Sequence, residues 1–142
     1  MLKMAGFIGL SVADVYISDY RATEEVENGM FVELNHTDKT GSLAGADATE
    51  VYFVENEITG LALTDVNDMD FKVKEGQFLR VHRPIQGEVL VTTCIDGDLA
   101  VGDYAKVVGD GKVGAASEGE GDFVVDKVTN ELGAKTVHLI VL

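Results

Sequence analysis

Apolar and polar positions alternate along this chain in short runs, and no apolar stripe at helical spacing is long enough to predict a core helix. Runs rich in β-branched and aromatic residues predict strands at Met30 to Leu34, Thr49 to Val54, Phe71 to Lys74, Gln77 to Arg83 and Gly87 to Thr93. Four more follow at Asp103 to Val108, Lys112 to Ala116, Asp122 to Thr129 and Lys135 to Leu142. In Gln77 to Arg83, Leu79 and Val81 share one face and Arg80 and His82 the other, and Pro84 ends the run. Asp110-Gly111 between two strand-like runs predicts a two-residue hairpin, whose central residues need positive φ. The last apolar run is expected to pair within a sheet. Arg21 to Asn28 is polar and predicts one helical turn, and Asn35 to Ala48 is a loop by composition.

These elements predict an all-β fold. The expectation is a single-domain antiparallel β-barrel or sandwich of short strands with an extended N-terminal arm. Residues 1–20 form the arm or a first strand, and residues 21–142 the barrel or sandwich. Glycine, at 16 residues, supplies the many turns such a fold needs, and 46% hydrophobic residues suffice for a core without disulfides or metals.

Charge narrows the partners. Lys+Arg total 11 against 25 Asp+Glu, a formal net charge of -14. Nucleic-acid binding rests on cationic contacts that release counterions, and no basic stripe supplies them, so neither nucleic acid nor an anionic membrane is an expected partner. Residues 1–10 hold a broken apolar run with glycines at 6 and 9, which predicts neither a secretion signal nor a membrane span. The single cysteine, Cys94, permits no internal disulfide and is expected as a small core residue in the run Val89 to Ile95.

Candidate chemistry is sparse. Asp65 to Asp70 is acidic, but Met69 stands where a third alternate oxygen ligand of a calcium loop belongs, so a solvated loop is expected. His36, His82 and His138 lack the paired spacing of a zinc site. No nucleophile elbow or phosphate-binding glycine loop is present, so no enzyme activity, metal or cofactor is expected. Two stretches remain as partner-binding candidates. Arg80, His82 and Arg83 form the densest basic patch, suited to an acidic neighbour or to an edge protected by charge. The arm, with Phe7, Ile8, Leu10, Val12 and Tyr16, suits an extended segment that adds to another protein's sheet or serves as a first strand of its own.

The succession of phrases Glu-Asn-Gly-Met-Phe-Val (27 to 32), Val-Tyr-Phe-Val-Glu-Asn (51 to 56), Phe-Lys-Val-Lys-Glu-Gly-Gln-Phe-Leu-Arg-Val-His-Arg-Pro (71 to 84), Gly-Glu-Val-Leu-Val-Thr-Thr (87 to 93) and Val-Gly-Asp-Tyr-Ala-Lys-Val-Val-Gly-Asp-Gly-Lys-Val (101 to 113) resembles the small head decoration, or cement, proteins of tailed bacteriophages. Lipoyl and biotinyl carrier hairpins share part of the last phrase, but they need a lysine at the tip, where this chain has Asp110-Gly111. The resemblance implies a non-enzymatic virion protein on the capsid exterior, assembled in the host cytoplasm. It implies the major capsid protein as partner and a homo-oligomer, a trimer or alternatively a dimer. The competing expectation is a ligand- or glycan-binding β-sandwich module on a virion or cell surface, which 7% aromatic content and the absence of tryptophan disfavour.

Overall fold

The structure, a computed structural model, describes residues 16–57, 71–131 and 133–142. Among the described residues there are ten strands and no helix. They are β1 (Ile17–Ala22), β2 (Phe31–Asn35), β3 (Thr40–Leu43), β4 (Tyr52–Val54), β5 (Phe78–His82), β6 (Val89–Thr92), β7 (Tyr104–Gly109), β8 (Lys112–Ala116), β9 (Phe123–Glu131) and β10 (Ala134–Val141). The first five close into a barrel in the order β1-β3-β2-β4-β5, and the last five form an open sheet in the order β6-β10-β9-β7-β8. The sequence offered a barrel or a sandwich; the structure holds a closed barrel and, beside it, one open five-stranded sheet.

Period-2 alternation builds two cores from one set of strands. Val32, Tyr52 and Val54 turn into the barrel, where they meet Ala22, Val26, Val73, Leu79 and Val81. Their neighbours Phe31 and Phe53 turn outward and pack with Phe123, Leu90, Val125, Val137 and Leu139 of the open sheet. The Phe31 ring lies 5.2 Å from Phe53 and 5.4 Å from Phe123. The seam between the halves is therefore aromatic core.

Backbone bonds lock the same seam. Phe31 N donates to Gly111 O at 2.8 Å, and Gly111 N donates to Ala44 O at 2.9 Å. Asp110 and Gly111 have φ of 50° and 68°, as the hairpin requires. A Cβ on Gly111 would stand 2.7 Å from Phe31 O, so only glycine lets the hairpin tip dock against the barrel.

Several expectations are corrected. The barrel is not wholly antiparallel, because β1 and β3 pair in parallel, Arg21 opposite Thr40. Arg21 to Asn28 holds no helical turn: Arg21 and Ala22 end β1, and Val26 makes a lone bridge to Val73. That bridge is all that remains of the strand expected at Phe71 to Lys74. The loop expected at Asn35 to Ala48 contains β3, whose Thr-Gly-Ser-Leu carries no strand signal. β3 is a strand because it is paired on both sides, to β2 and to β1. Cys94 is buried but lies beyond β6, which ends at Thr92. β1 also crosses the 20/21 position at which composition divides arm from body. Phe7, Ile8, Leu10 and Val12, and the Asp65 to Asp70 cluster, lie outside the described residues.

Candidate functional site: an open strand edge and its groove

The two sheets treat their edges differently. Closure leaves the barrel with none, and the β8 edge of the open sheet is covered by residues 94–96: Val113 N donates to Cys94 O and Asp96 N to Val113 O at 2.8 Å. The β6 edge remains. Val141 N donates to Glu88 O at 2.9 Å, which sets the phase of the ladder between β6 and β10. By alternation, Leu90 and Thr92 point their backbone groups at β10, and Val89 and Val91 point theirs to the open side. Among the described residues no backbone group pairs with Val89 or Val91 there. Their side chains are also 51% and 47% exposed, whereas Leu90 and Thr92 are buried.

A groove of about 710 Å³ runs along this edge. One wall is residues 89–93, the floor is Phe53 and Val54, and the far wall is Glu55, Asn56 and Arg80 of the barrel. Two neutral side chains hold the walls in place. Thr92 Oγ1 donates to Gly29 O at 2.8 Å and accepts from Cys94 N at 2.9 Å. Gly29 has φ of 92°, and a Cβ there would meet Thr92 Oγ1 at 2.6 Å. Asn56 is the second: its N–H donates to Asn28 Oδ1 at 2.7 Å, its Nδ2 to Phe78 O at 2.9 Å, and its Oδ1 accepts from Arg80 N at 2.7 Å. Asn28 Nδ2 returns a bond to Asn56 O at 3.0 Å.

Tyr16, Arg80 and His82 converge at the rim of this groove. The Arg80 guanidinium lies 3.5 Å from the Tyr16 ring centroid and donates to Glu55 O at 3.0 Å. The Tyr16 hydroxyl donates to Glu55 Oε2 at 3.1 Å. Partial desolvation and then that carboxylate raise the Tyr16 pKa above its ordinary value. Behind them His82 is 5% exposed, edge-on to Tyr16 at 5.3 Å and to Phe53 at 5.9 Å. Its Nε2 donates to Glu88 Oε2 at 2.7 Å. Its Nδ1 faces Glu55 Oε1 at 3.8 Å, too far for a hydrogen bond, and is buried without a partner.

The placement of the basic patch differs from the expectation of an edge protected by charge. β5 is paired on both sides, to β4 and β1, so its charges guard no edge. Arg80 meets the Tyr16 ring and the Glu55 backbone carbonyl, and His82 meets the Glu88 carboxylate, all of their own chain. His82 is buried and makes its contacts with Glu88 and Tyr16 of its own chain. Arg83 is separate: it pairs with Glu50 at 3.4 Å and lines a second cavity of about 260 Å³ with Pro84 and Leu142. The three histidines also part company, His36 joining Tyr20 and His138 joining Thr129.

The sequence reading missed the groove, the open edge and the Asn28–Asn56 clasp. One signal was present: the triplet Val-Glu-Asn occurs at 26–28 and again at 54–56, and the fold brings the two copies together. A comparison with protein-family models, with curated proteins and with solved structures finds no match. The site's chemistry is thus its own best guide: unpaired strand N–H and C=O groups, flanked by exposed valines, suit recognition of an extended polypeptide.

Proposed function

We propose that this chain is a structural virion protein that binds the outer surface of a phage head and stabilises the capsid by bridging major capsid subunits. The observation that carries the reading is the open β6 edge with its half-exposed Val89 and Val91, set beside the Tyr16–Arg80 stack. A strand edge gives main-chain hydrogen bonds to any extended segment, and flanking valines select an apolar one. The likeness to head decoration proteins in the phrases at 27–32, 51–56, 71–84, 87–93 and 101–113 supplies the identity of the partner. An acidic surface keeps copies apart in solution, and repetition across a lattice turns modest contacts into firm attachment. In this reading the arm residues Phe7, Ile8, Leu10 and Val12 add a further partner contact, and the protein works as a trimer or dimer on the capsid exterior.

The test is binding of the purified protein to expanded, undecorated heads. Saturable binding at a fixed ratio to capsid subunits, with greater resistance of the heads to heat, is the expected result. No binding at any protein concentration sinks the reading. Removal of residues 1–15 is expected to weaken binding at least tenfold. The cut belongs at 15 and not at 20, because Ile17–Ala22 is β1 and Tyr20 is core.

A further inference from the structure

A neutral imidazole has one N–H to donate, and His82 stands between two carboxylates. It ends β5 and is buried. On one side Nε2 lies 2.7 Å from Glu88 Oε2, and on the other Nδ1 lies 3.8 Å from Glu55 Oε1. At 2.7 Å one of the two atoms must carry a proton, so Nε2 holds the N–H of the neutral ring. Nδ1 then turns a lone pair toward a carboxylate oxygen, and among the described residues it has no hydrogen-bond partner. The other neutral tautomer is worse, because it sets two lone pairs against each other at Glu88. Only the doubly protonated ring has a donor for each carboxylate.

The charged groups around the ring come from four elements. Glu55 follows β4 and Glu88 precedes β6. From β5 comes Arg80, whose guanidinium lies on the Tyr16 ring and opposes a charge on His82. Tyr16, ahead of β1, donates to Glu55 Oε2 and not to the Oε1 that faces His82. β4 itself brings only the Phe53 ring, edge-on at 5.9 Å. Arg83, next in the chain, is paired with Glu50. Two carboxylates therefore face the ring against one guanidinium.

We propose that His82 is a proton-operated latch between the two walls of the groove. A proton from water settles on Nδ1, and the Glu55 side chain, 41% exposed and so able to move, swings in by about 1 Å to accept it in a hydrogen bond. Glu55 belongs to the far wall. Glu88 leads directly into β6, the near wall, and its carbonyl accepts from Val141 N at 2.9 Å. The sequence of bonds Glu55–His82–Glu88 thus ties the barrel to the start of the open edge, and it is complete only while the ring is protonated. Loss of the proton releases Glu55 and loosens the far wall from β6. The device works whatever the edge binds, so it stands apart from the capsid reading.

The experiment is nitrogen NMR of labelled histidine rings in the full-length protein, with His82 assigned by its loss in His82→Gln. Between about pH 8 and about pH 5 the His82 Nδ1 signal is expected to move from that of a bare ring nitrogen to that of an N–H, while Nε2 keeps its proton throughout. The Glu55 carboxyl carbon should shift with the same midpoint. Glu55→Gln removes the charge and offers an amide N–H to the bare Nδ1, so the His82 titration should move at least one pH unit toward acid. An Nδ1 that stays bare throughout, or is protonated throughout, overturns the latch. So does a Glu55→Gln protein that titrates as the wild type does. Should that variant fail to fold, the wild-type carboxyl signal decides: a Glu55 carbon that does not follow His82 overturns the latch equally. Head binding enters none of these measurements.

Discussion

The barrel and the open sheet are each five-stranded and each bury an apolar core, yet among the described residues only the sheet leaves one side of a strand without a partner. The barrel spends every edge on closure, using the parallel β1–β3 pair to complete the ring. The sheet cannot close, because its inner face is occupied by Phe31 and Phe53 from the barrel. The barrel thus supplies one wall of the groove, and the sheet supplies the strand edge along the other.

The sharpest way to break this comparison is at the seam. Phe31→Ala removes a fully buried ring that belongs to a barrel strand but packs in the sheet's core. It is expected to destabilise the protein by about 3–5 kcal/mol. Urea unfolding followed by circular dichroism and by tyrosine fluorescence should move together, since the halves share that core. Two separated transitions in the wild type would show the halves to be independent units. Gly111→Ala attacks the seam from the sheet side, at φ of 68° and with a Cβ 2.7 Å from Phe31 O. The left-handed backbone alone costs about 1–2 kcal/mol, and the contact adds to it. A thermal midpoint equal to wild type would refute the docked hairpin.

A smaller effect is expected where the connection between the halves is pinned. Glu88→Ala leaves the buried His82 Nε2 without its 2.7 Å acceptor and is expected to cost about 1–3 kcal/mol. Glu88→Gln, which keeps an acceptor, should recover much of the loss in the same unfolding assay. The smallest effect concerns Cys94, which sits in the barrel core beneath the seam. Burial, assisted by Glu27, raises its thiol above the ordinary 9.0, while the Thr92 hydrogen bond opposes the rise. A raised acid contributes stability that is complete below the unfolded pKa and is lost as pH rises from there through the folded pKa. Wild-type stability should therefore fall more steeply than that of Cys94→Ala once the pH rises above the ordinary 9.0. Equal slopes would place the thiol in contact with solvent.

Much of the fold was legible because strand alternation and turn chemistry are local. Leu79 and Val81 face inward and Arg80 outward as the pattern requires, and Asp110-Gly111 turns the hairpin with both φ positive. β3 was not legible, because Gly41 and Ser42 disfavour a strand, Thr40 alone makes no run, and the segment is held by neighbours on two sides. The candidate site was legible in part. Tyr16 was singled out with the arm and Arg80 and His82 with the basic patch; the fold brings these three together, whereas Arg83 of the same patch goes to another face. Asn28 and Asn56 carry only the repeated Val-Glu-Asn triplet as a signal and Thr92 carries none, since a hydrogen-bonding role depends on what arrives opposite.

What the sequence determined alone is the material: short strands, glycine turns, one buried thiol and a strongly acidic surface. Each follows from alternation, composition or charge within a few residues. The closure of one sheet, the openness of the other and, among the described residues, the uncovered β6 edge belong to tertiary structure. They depend on which strands meet across long stretches of chain, such as Phe31 with Phe123 or Gly29 with Thr92, and no local pattern encodes that meeting.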